Sequence, residues 1–185
     1  MPTGTPWGFR DILPNEALDR ERIAAKARAC FSQRGYMPVE TPLLEYRNVL
    51  ERGSQINDSP FQLFDNDGAL LVMRPDLTLP IARLVSTRMS HASLPLRLRY
   101  EAPVVREESQ LRGQPRQFTQ IGVELIGESS SASEQETAGL LGEVLDVLGI
   151  SDWRIACGSV VPLNALLSTC VSDCVLARRV RAYIP

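Results

Sequence analysis

A run of alternating side chains, joined by a polar arginine-rich stretch to a second strand-like run, constrains this chain more than any other feature. In LPLRLRYEAPVV (94–105), Leu96, Leu98 and Tyr100 alternate with Arg97 and Arg99, the period of a half-buried strand. REESQLRGQPRQ (106–117) reads as a loop, and FTQIGVELIG (118–127) returns as a second strand. The pattern predicts a long antiparallel hairpin.

Shorter elements flank it. Pro14-Asn15-Glu16 predicts a helix start, with Ile23, Ala27, Cys30 and Phe31 on one face and Gly35 at the end. YMPVETPLLE (36–45) carries prolines at 38 and 42 and reads as an edge or interface strand, since proline brings no backbone donor to a ladder. FQLFDNDGALLVMRP (61–75) predicts a hairpin turning at Asn66-Asp67-Gly68. A helix follows, with Ile81, Leu84, Val85 and Met89 on one face. SSSASEQE (129–136) reads as a linker with Ser133 and Glu136 as a capping box. The next helix presents Leu141, Val144, Leu145 and Leu148 and closes at Gly149. WRIACGSV (153–160) predicts a strand and 162–183 a helix. Hairpins alternating with helices indicate an α+β fold, an antiparallel sheet flanked by helices, treated as one domain over 1–185.

The chain has 185 residues, 44% of them hydrophobic and 23% charged, so neither a disordered nor a membrane class is favoured. No apolar run reaches the roughly 18–20 residues that span a bilayer, and MPTGTPWGFRD has no signal-peptide pattern. A cytoplasmic protein is expected. Net charge is −2, from 20 basic and 22 acidic residues, which argues against a tRNA- or DNA-binding surface. Cys30, Cys157, Cys170 and Cys174 lack metal-ligand spacing, and His91 is the single histidine. They read as reduced, small apolar residues, and no metal site is expected.

Several polar residues could share one pocket, each with a plainer alternative. Asp76 and Thr78 precede a helix and could simply cap it. Gln120 and Glu124 lie four apart on a strand and point to the same face, together with Phe118, Gly122 and Ile126. That face is either solvated or a ligand floor that Gly122 leaves open. Arg106, Arg112 and Arg116 suit phosphate or carboxylate groups, or else pair with Glu107 and Glu108 in a solvated loop.

GFRDILPNE, GYMPVETPLLE, RPDLT, VVREE, RGQPRQFTQIGVELIG and SEQE, in this order, resemble the class II aminoacyl-tRNA synthetase core, and within it the histidyl branch. The resemblance covers about residues 4–150. It implies that about 14–45 is motif 1, including Pro42, through which a homodimer forms. It implies that about 96–126 is motif 2. It places Asp76, Thr78, Arg106, Gln120 and Glu124 around histidine: Asp76 and Thr78 at the α-amino group, Arg106 at the carboxylate, and Gln120 and Glu124 reading the ligand, with Glu124 toward the imidazole. Glu108, Arg116 and Phe118 fall on the nucleotide side.

The departures from the synthetase pattern carry equal weight. Asp76-Leu77 stands where those enzymes have glutamate and glycine, Gln114 stands at the expected loop arginine, and no motif 3 follows. RPDLTLPIAR is similar instead to the synthetase paralogue that serves as regulatory subunit of ATP phosphoribosyltransferase. Members of that family are longer, so the fold is expected to be an apparently truncated core. The resemblance implies a non-catalytic subunit without catalytic residues, a vestigial nucleotide side and no cofactor. It also implies a short-form ATP phosphoribosyltransferase catalytic subunit as partner, and histidine as effector in the first step of histidine biosynthesis. Two alternatives stay open: a histidyl-tRNA synthetase fragment forming histidyl-adenylate, and a synthetase-like dimerisation domain with a vestigial pocket.

Overall fold

The computed structural model describes residues 4–51, 61–106, 115–170, 173 and 176. The chain falls into two compact units, Met1–Ser151 and Asp152–Pro185. The first contains α1 (Pro14–Gln33), β1 (Met37–Pro38), β2 (Leu44–Tyr46), α2 (Arg47–Glu51), β3 (Gln62–Phe64), β4 (Leu70–Met73), α3 (Thr78–Arg88), β5 (Leu96–Val105), β6 (Gln117–Ile126) and α4 (Ser131–Val147). The second contains α5 (Val161–Cys170).

β5 and β6 form the expected antiparallel hairpin, paired from Leu96↔Ile126 to Val105↔Gln117. β1 joins the other edge of β5 in parallel, Met37↔Leu98 and Pro38↔Arg99, so this sheet is mixed rather than purely antiparallel. Pro38 sits on the edge, where its missing donor costs no ladder bond. A second sheet has the order β2-β4-β3, antiparallel throughout. Its hairpin turns at Asp65–Ala69, where Gly68 takes φ +80° and Asp65 Oδ1 accepts from the Asp67 and Ala69 amides.

The strand alternation sorts side chains into two cores. On one face of β5–β6, Ile121 and Val123 pack under α1 and α4 against Ala27, Cys30, Phe31, Tyr36 and Leu140. On the other face, Leu98, Tyr100 and Val104 pack with Leu77 and Ile81 of the α3 region, joined by Phe118 and Ile126.

The stripes of α1 and α4 each differ from expectation at one position, while Ala27, Cys30, Phe31 and Val144 face the core as expected. Ile23 is 49% exposed and Ala24 takes its inward place; Leu141 is 50% exposed and Leu140 is buried. Close packing decides this. A small alanine lets α1 approach, and a stripe read on a 3.6-residue period cannot separate neighbours lying about 100° apart. The cap of α4 also lies three residues earlier. Ser130 is the N-cap, accepting from the Ser133 amide, while the Ser133 hydroxyl accepts from the Ser130 amide. Glu136 is thereby released for an ion pair with Arg97. Ser130→Ala is expected to cost about 1 kcal/mol, read as a drop of roughly 3 °C in the unfolding midpoint.

In the second unit, 153–160 forms no strand, since no ladder partner lies alongside it among the described residues. Of the segment expected to be helical over 162–183, 161–170 is helix, and most of the remainder lies outside the described residues. Cys30 is buried as expected, whereas Cys157 and Cys170 are exposed; Cys174 lies outside the described residues. No helix among the described residues is long and apolar enough to cross a membrane.

Candidate functional site

The second face of the β5–β6 hairpin ends in a polar cluster instead of more core. β4 leads through Arg74-Pro75-Asp76-Leu77 into α3, and this link lies across Gln120 and Glu124 of β6. Asp76 serves both of its sequence readings. Its Oδ1 accepts from the Thr78 amide at 2.6 Å, as a helix-capping group does, while the formal N-cap, Leu77, has no side chain able to cap. Its Oδ2 faces the pocket, accepting from Gln120 Nε2 at 3.0 Å and lying 3.7 Å from Arg106 Nη2. Thr78 Oγ1 donates to Glu124 Oε1 at 2.9 Å. Arg106 Nε donates to the Pro75 carbonyl at 2.7 Å, and its guanidinium carbon stands 5.2 Å from the centre of the Phe118 ring. The five residues expected around one ligand are therefore brought together.

Burial and charge set the protonation of this cluster. Burial alone would raise the Asp76 carboxyl, but hydrogen bonds from Gln120 and Thr78 and the Arg106 guanidinium outweigh it and hold it below its ordinary value. Glu124 goes the other way. Burial raises it, the Thr78 hydroxyl opposes this, and the Asp76 charge adds to the rise. The side chains flank one open acceptor: Gln120 Oε1 is buried and accepts no hydrogen bond among the described residues. A buried amide oxygen in that state costs free energy until a donor reaches it.

Tyr100 is the pocket residue that the sequence reading missed. It faces Gly122 across the hairpin, and a Cβ built on Gly122 would stand 2.4 Å from the Tyr100 hydroxyl oxygen. Gly122 therefore makes room for Tyr100, not for a ligand. Burial, then the nearby Glu124 and Asp76 charges, push the phenol up to about 12, so it remains a neutral donor at physiological pH. The signal in the sequence was a glycine in mid-strand, and its partner could be found only from the register.

The nucleotide-side residues are not grouped in the same way. Phe118 lies under Arg106. The Arg116 guanidinium stacks over Trp7 at 4.0 Å, with Phe61 at 5.7 Å, and the Arg116 amide donates to the Gly8 carbonyl at 2.7 Å. Glu108 lies outside the described residues, as do Glu107 and Arg112. Among the described residues, no group of three or more histidine, cysteine, aspartate or glutamate side chains could hold a metal.

Chemically, the cluster offers two carboxylates, one guanidinium, an amide oxygen and a phenol. That set complements a small zwitterion: ammonium against Asp76, carboxylate against Arg106, and a further N–H donor toward Gln120 or Glu124.

Comparison with known proteins bears on the family and the fold. The sequence profile of the histidyl-tRNA synthetase family matches residues 8–183. An ATP phosphoribosyltransferase regulatory subunit of Halalkalibacterium halodurans is 37% identical over 180 residues, covering 97% of this chain and 45% of that protein. One from Desulfitobacterium hafniense is 43% identical over 153 residues, covering 83% of this chain and 39% of that protein. The chain thus spans less than half the length of these relatives. Among solved structures, an ATP phosphoribosyltransferase regulatory subunit/histidyl-tRNA synthetase from Bacillus halodurans superposes with a TM-score of 0.87 at 36% identity, covering 99% of this chain and 48% of that one. A histidine–tRNA ligase subunit from Alicyclobacillus acidocaldarius gives a TM-score of 0.77 at 28% identity, covering 97% and 52%. The class II synthetase-like fold and the sequence agree: the chain belongs to the histidyl-tRNA synthetase family, in the group that includes the ATP phosphoribosyltransferase regulatory subunits.

Proposed function

We propose that this chain acts as a non-catalytic regulatory subunit of ATP phosphoribosyltransferase. In this reading it serves histidine biosynthesis in the cytoplasm, is needed for the activity of a short catalytic subunit, and holds histidine as the feedback effector. The observation that carries the reading is the contrast between the two sides of the site. Asp76, Thr78, Arg106, Gln120 and Glu124 converge in one polar cluster, read as an amino-acid cradle, while the Arg116 guanidinium stacks over Trp7. Adenylation must stabilise charge growing on a phosphoryl group, and a stacked guanidinium is poorly placed for that. A pocket that holds histidine without transforming it suits an effector site, where the ligand acts by binding one state of an assembly better than another.

A homodimer through the motif 1 region is part of the proposal. Leu44, Tyr46 and Leu63 are exposed on one face of the small sheet, where register brings Leu44 beside Met73 and Tyr46 and Leu63 beside Leu71. Tethering to tRNA has no part in it.

The test is reconstitution. The chain is mixed with a short-form catalytic subunit, ATP and phosphoribosyl pyrophosphate, and product is followed with and without histidine. Activity that appears on mixing and falls with histidine is the expected result; no activation by this chain, where a longer relative does activate, overturns the reading for these 185 residues. The intact five-residue cradle also favours one second reading, a histidyl-tRNA synthetase portion forming histidyl-adenylate. Histidine-dependent pyrophosphate exchange by the purified chain would establish that reading and remove the first.

A further inference from the structure

Arg74 is among the least exposed charged side chains of the fold, at 3%, and it is buried without a carboxylate in ion-pair contact among the described residues. Its Nη1 donates to the Thr41 carbonyl at 2.5 Å, to Thr41 Oγ1 at 3.0 Å and to the Pro42 carbonyl at 3.0 Å; its Nε donates to the Pro103 carbonyl at 3.0 Å. Its main chain is held as well, the amide by the Leu43 carbonyl and the carbonyl by the Val105 amide. One residue thus joins three segments: the stretch entering β2, the link entering α3, and the end of β5.

Burying a guanidinium is costly, and an apolar side chain of similar volume often serves stability as well or better. What a guanidinium adds is several donors fixed in one plane, aimed at carbonyls whose positions are thereby fixed too. The fixed points lie next to the site. Asp76 is two residues beyond Arg74. Arg106 directly follows the strand end that Arg74 grips, and donates to the Pro75 carbonyl one residue beyond Arg74.

We infer that Arg74 is a positioning residue, which holds Asp76 and Arg106 at their ligand-accepting separation by locking the 74–77 link to Thr41, Pro42 and Pro103. The inference rests on reading the cradle as an amino-acid site, and its test includes a readout that needs no ligand. Lysine at this position keeps the charge but supplies a point instead of a fork.

The full chain is compared as wild type, Arg74→Lys and Glu136→Gln, the last a destabilising control on the opposite face of the sheet. Unfolding midpoint, the carboxyl titration of Asp76 by carbon NMR, and histidine affinity by calorimetry are measured on each. In Arg74→Lys the Asp76 midpoint is expected to rise toward the ordinary carboxylate range and the histidine dissociation constant to rise about tenfold. Glu136→Gln is expected to lose stability with both readouts unchanged. An Arg74→Lys protein that is less stable but keeps the wild-type Asp76 midpoint and affinity overturns the inference, since Arg74 would then be structural only. If wild type itself binds no histidine, the amino-acid reading fails, and the Asp76 midpoint alone decides the positioning role. Should Arg74→Lys not fold, Thr41→Val removes the one side-chain acceptor; a smaller rise in the Asp76 midpoint supports the inference, and an unchanged midpoint overturns it.

Discussion

Glu124→Ala is expected to weaken histidine binding by at least about 30-fold, the size of losing a charged hydrogen-bonding partner from a half-buried site. Calorimetry on the folded variant reads this directly, and an affinity within about threefold of wild type would mean that the cradle is not where histidine binds. The same residue makes a second, opposite prediction for stability. Burial, with the Asp76 charge, raises the Glu124 carboxyl above its ordinary value. The folded chain therefore binds more protons than the unfolded chain between those two values, and stability falls as pH rises through that window. Glu124→Gln removes this slope. The variant should be more stable than wild type at neutral pH while binding histidine less well. Such an exchange of stability for affinity is what a site built to receive a cation produces.

How far the sequence could go is clear from particular residues. The β5–β6 hairpin was legible because the alternation of Leu96, Leu98 and Tyr100 with Arg97 and Arg99 fixes which face is buried, and a one-residue slip would turn Leu98 and Tyr100 away from the core. That Asp76, Thr78, Arg106, Gln120 and Glu124 gather in one place was legible through the family resemblance. Their plainer readings were not wholly displaced, since Asp76 caps with one oxygen and faces the pocket with the other. What was not legible depends on distance between segments. Ala24 instead of Ile23, and Leu140 instead of Leu141, follow from how closely α1 and α4 approach the sheet. The choice of Ser130 over Ser133 as cap depends on where the chain leaves Gly127, at φ +92°. Tyr100 against Gly122 required the register, and Arg74 required knowing that residues 41–42 and 103 meet. Apart from the Ser130 cap, which is local, each of these is a contact between elements separated along the chain, and the pattern of one segment does not name its partner.

The network around Glu136 carries the second large expectation, and it lies wholly on the face away from the cradle. Arg97 grips both carboxylate oxygens at 2.8 and 2.7 Å, and the Tyr36 hydroxyl donates to one of them at 2.9 Å. Tyr36 is 1% exposed, and its hydroxyl is covered by the Glu136 side chain, itself 24% exposed. Glu136→Ala removes that hydrogen bond and both bonds to Arg97 at a cost of about 1–2 kcal/mol, and each kcal/mol lowers the unfolding midpoint by roughly 2–4 °C in a chain of this length. The pH dependence has a definite sign. The Arg97 hydrogen bonds, against some loss from burial and with help from Tyr36, hold the Glu136 carboxyl down to about 2. A lowered folded value means that the stabilisation is fully present above the ordinary glutamate range and is lost as pH falls toward 2. Wild type should therefore destabilise between about pH 5 and 2. Glu136→Gln, which keeps an oxygen for Tyr36 but no charge for Arg97, should be less stable at pH 7 and shallower across that window. Thermal melts of the two proteins from pH 7 to pH 2 give the comparison. Parallel curves would place the acid-sensitive contact elsewhere; among the described residues, the other carboxylates held low by their partners are Asp76 of the cradle and Glu16 beside Arg10.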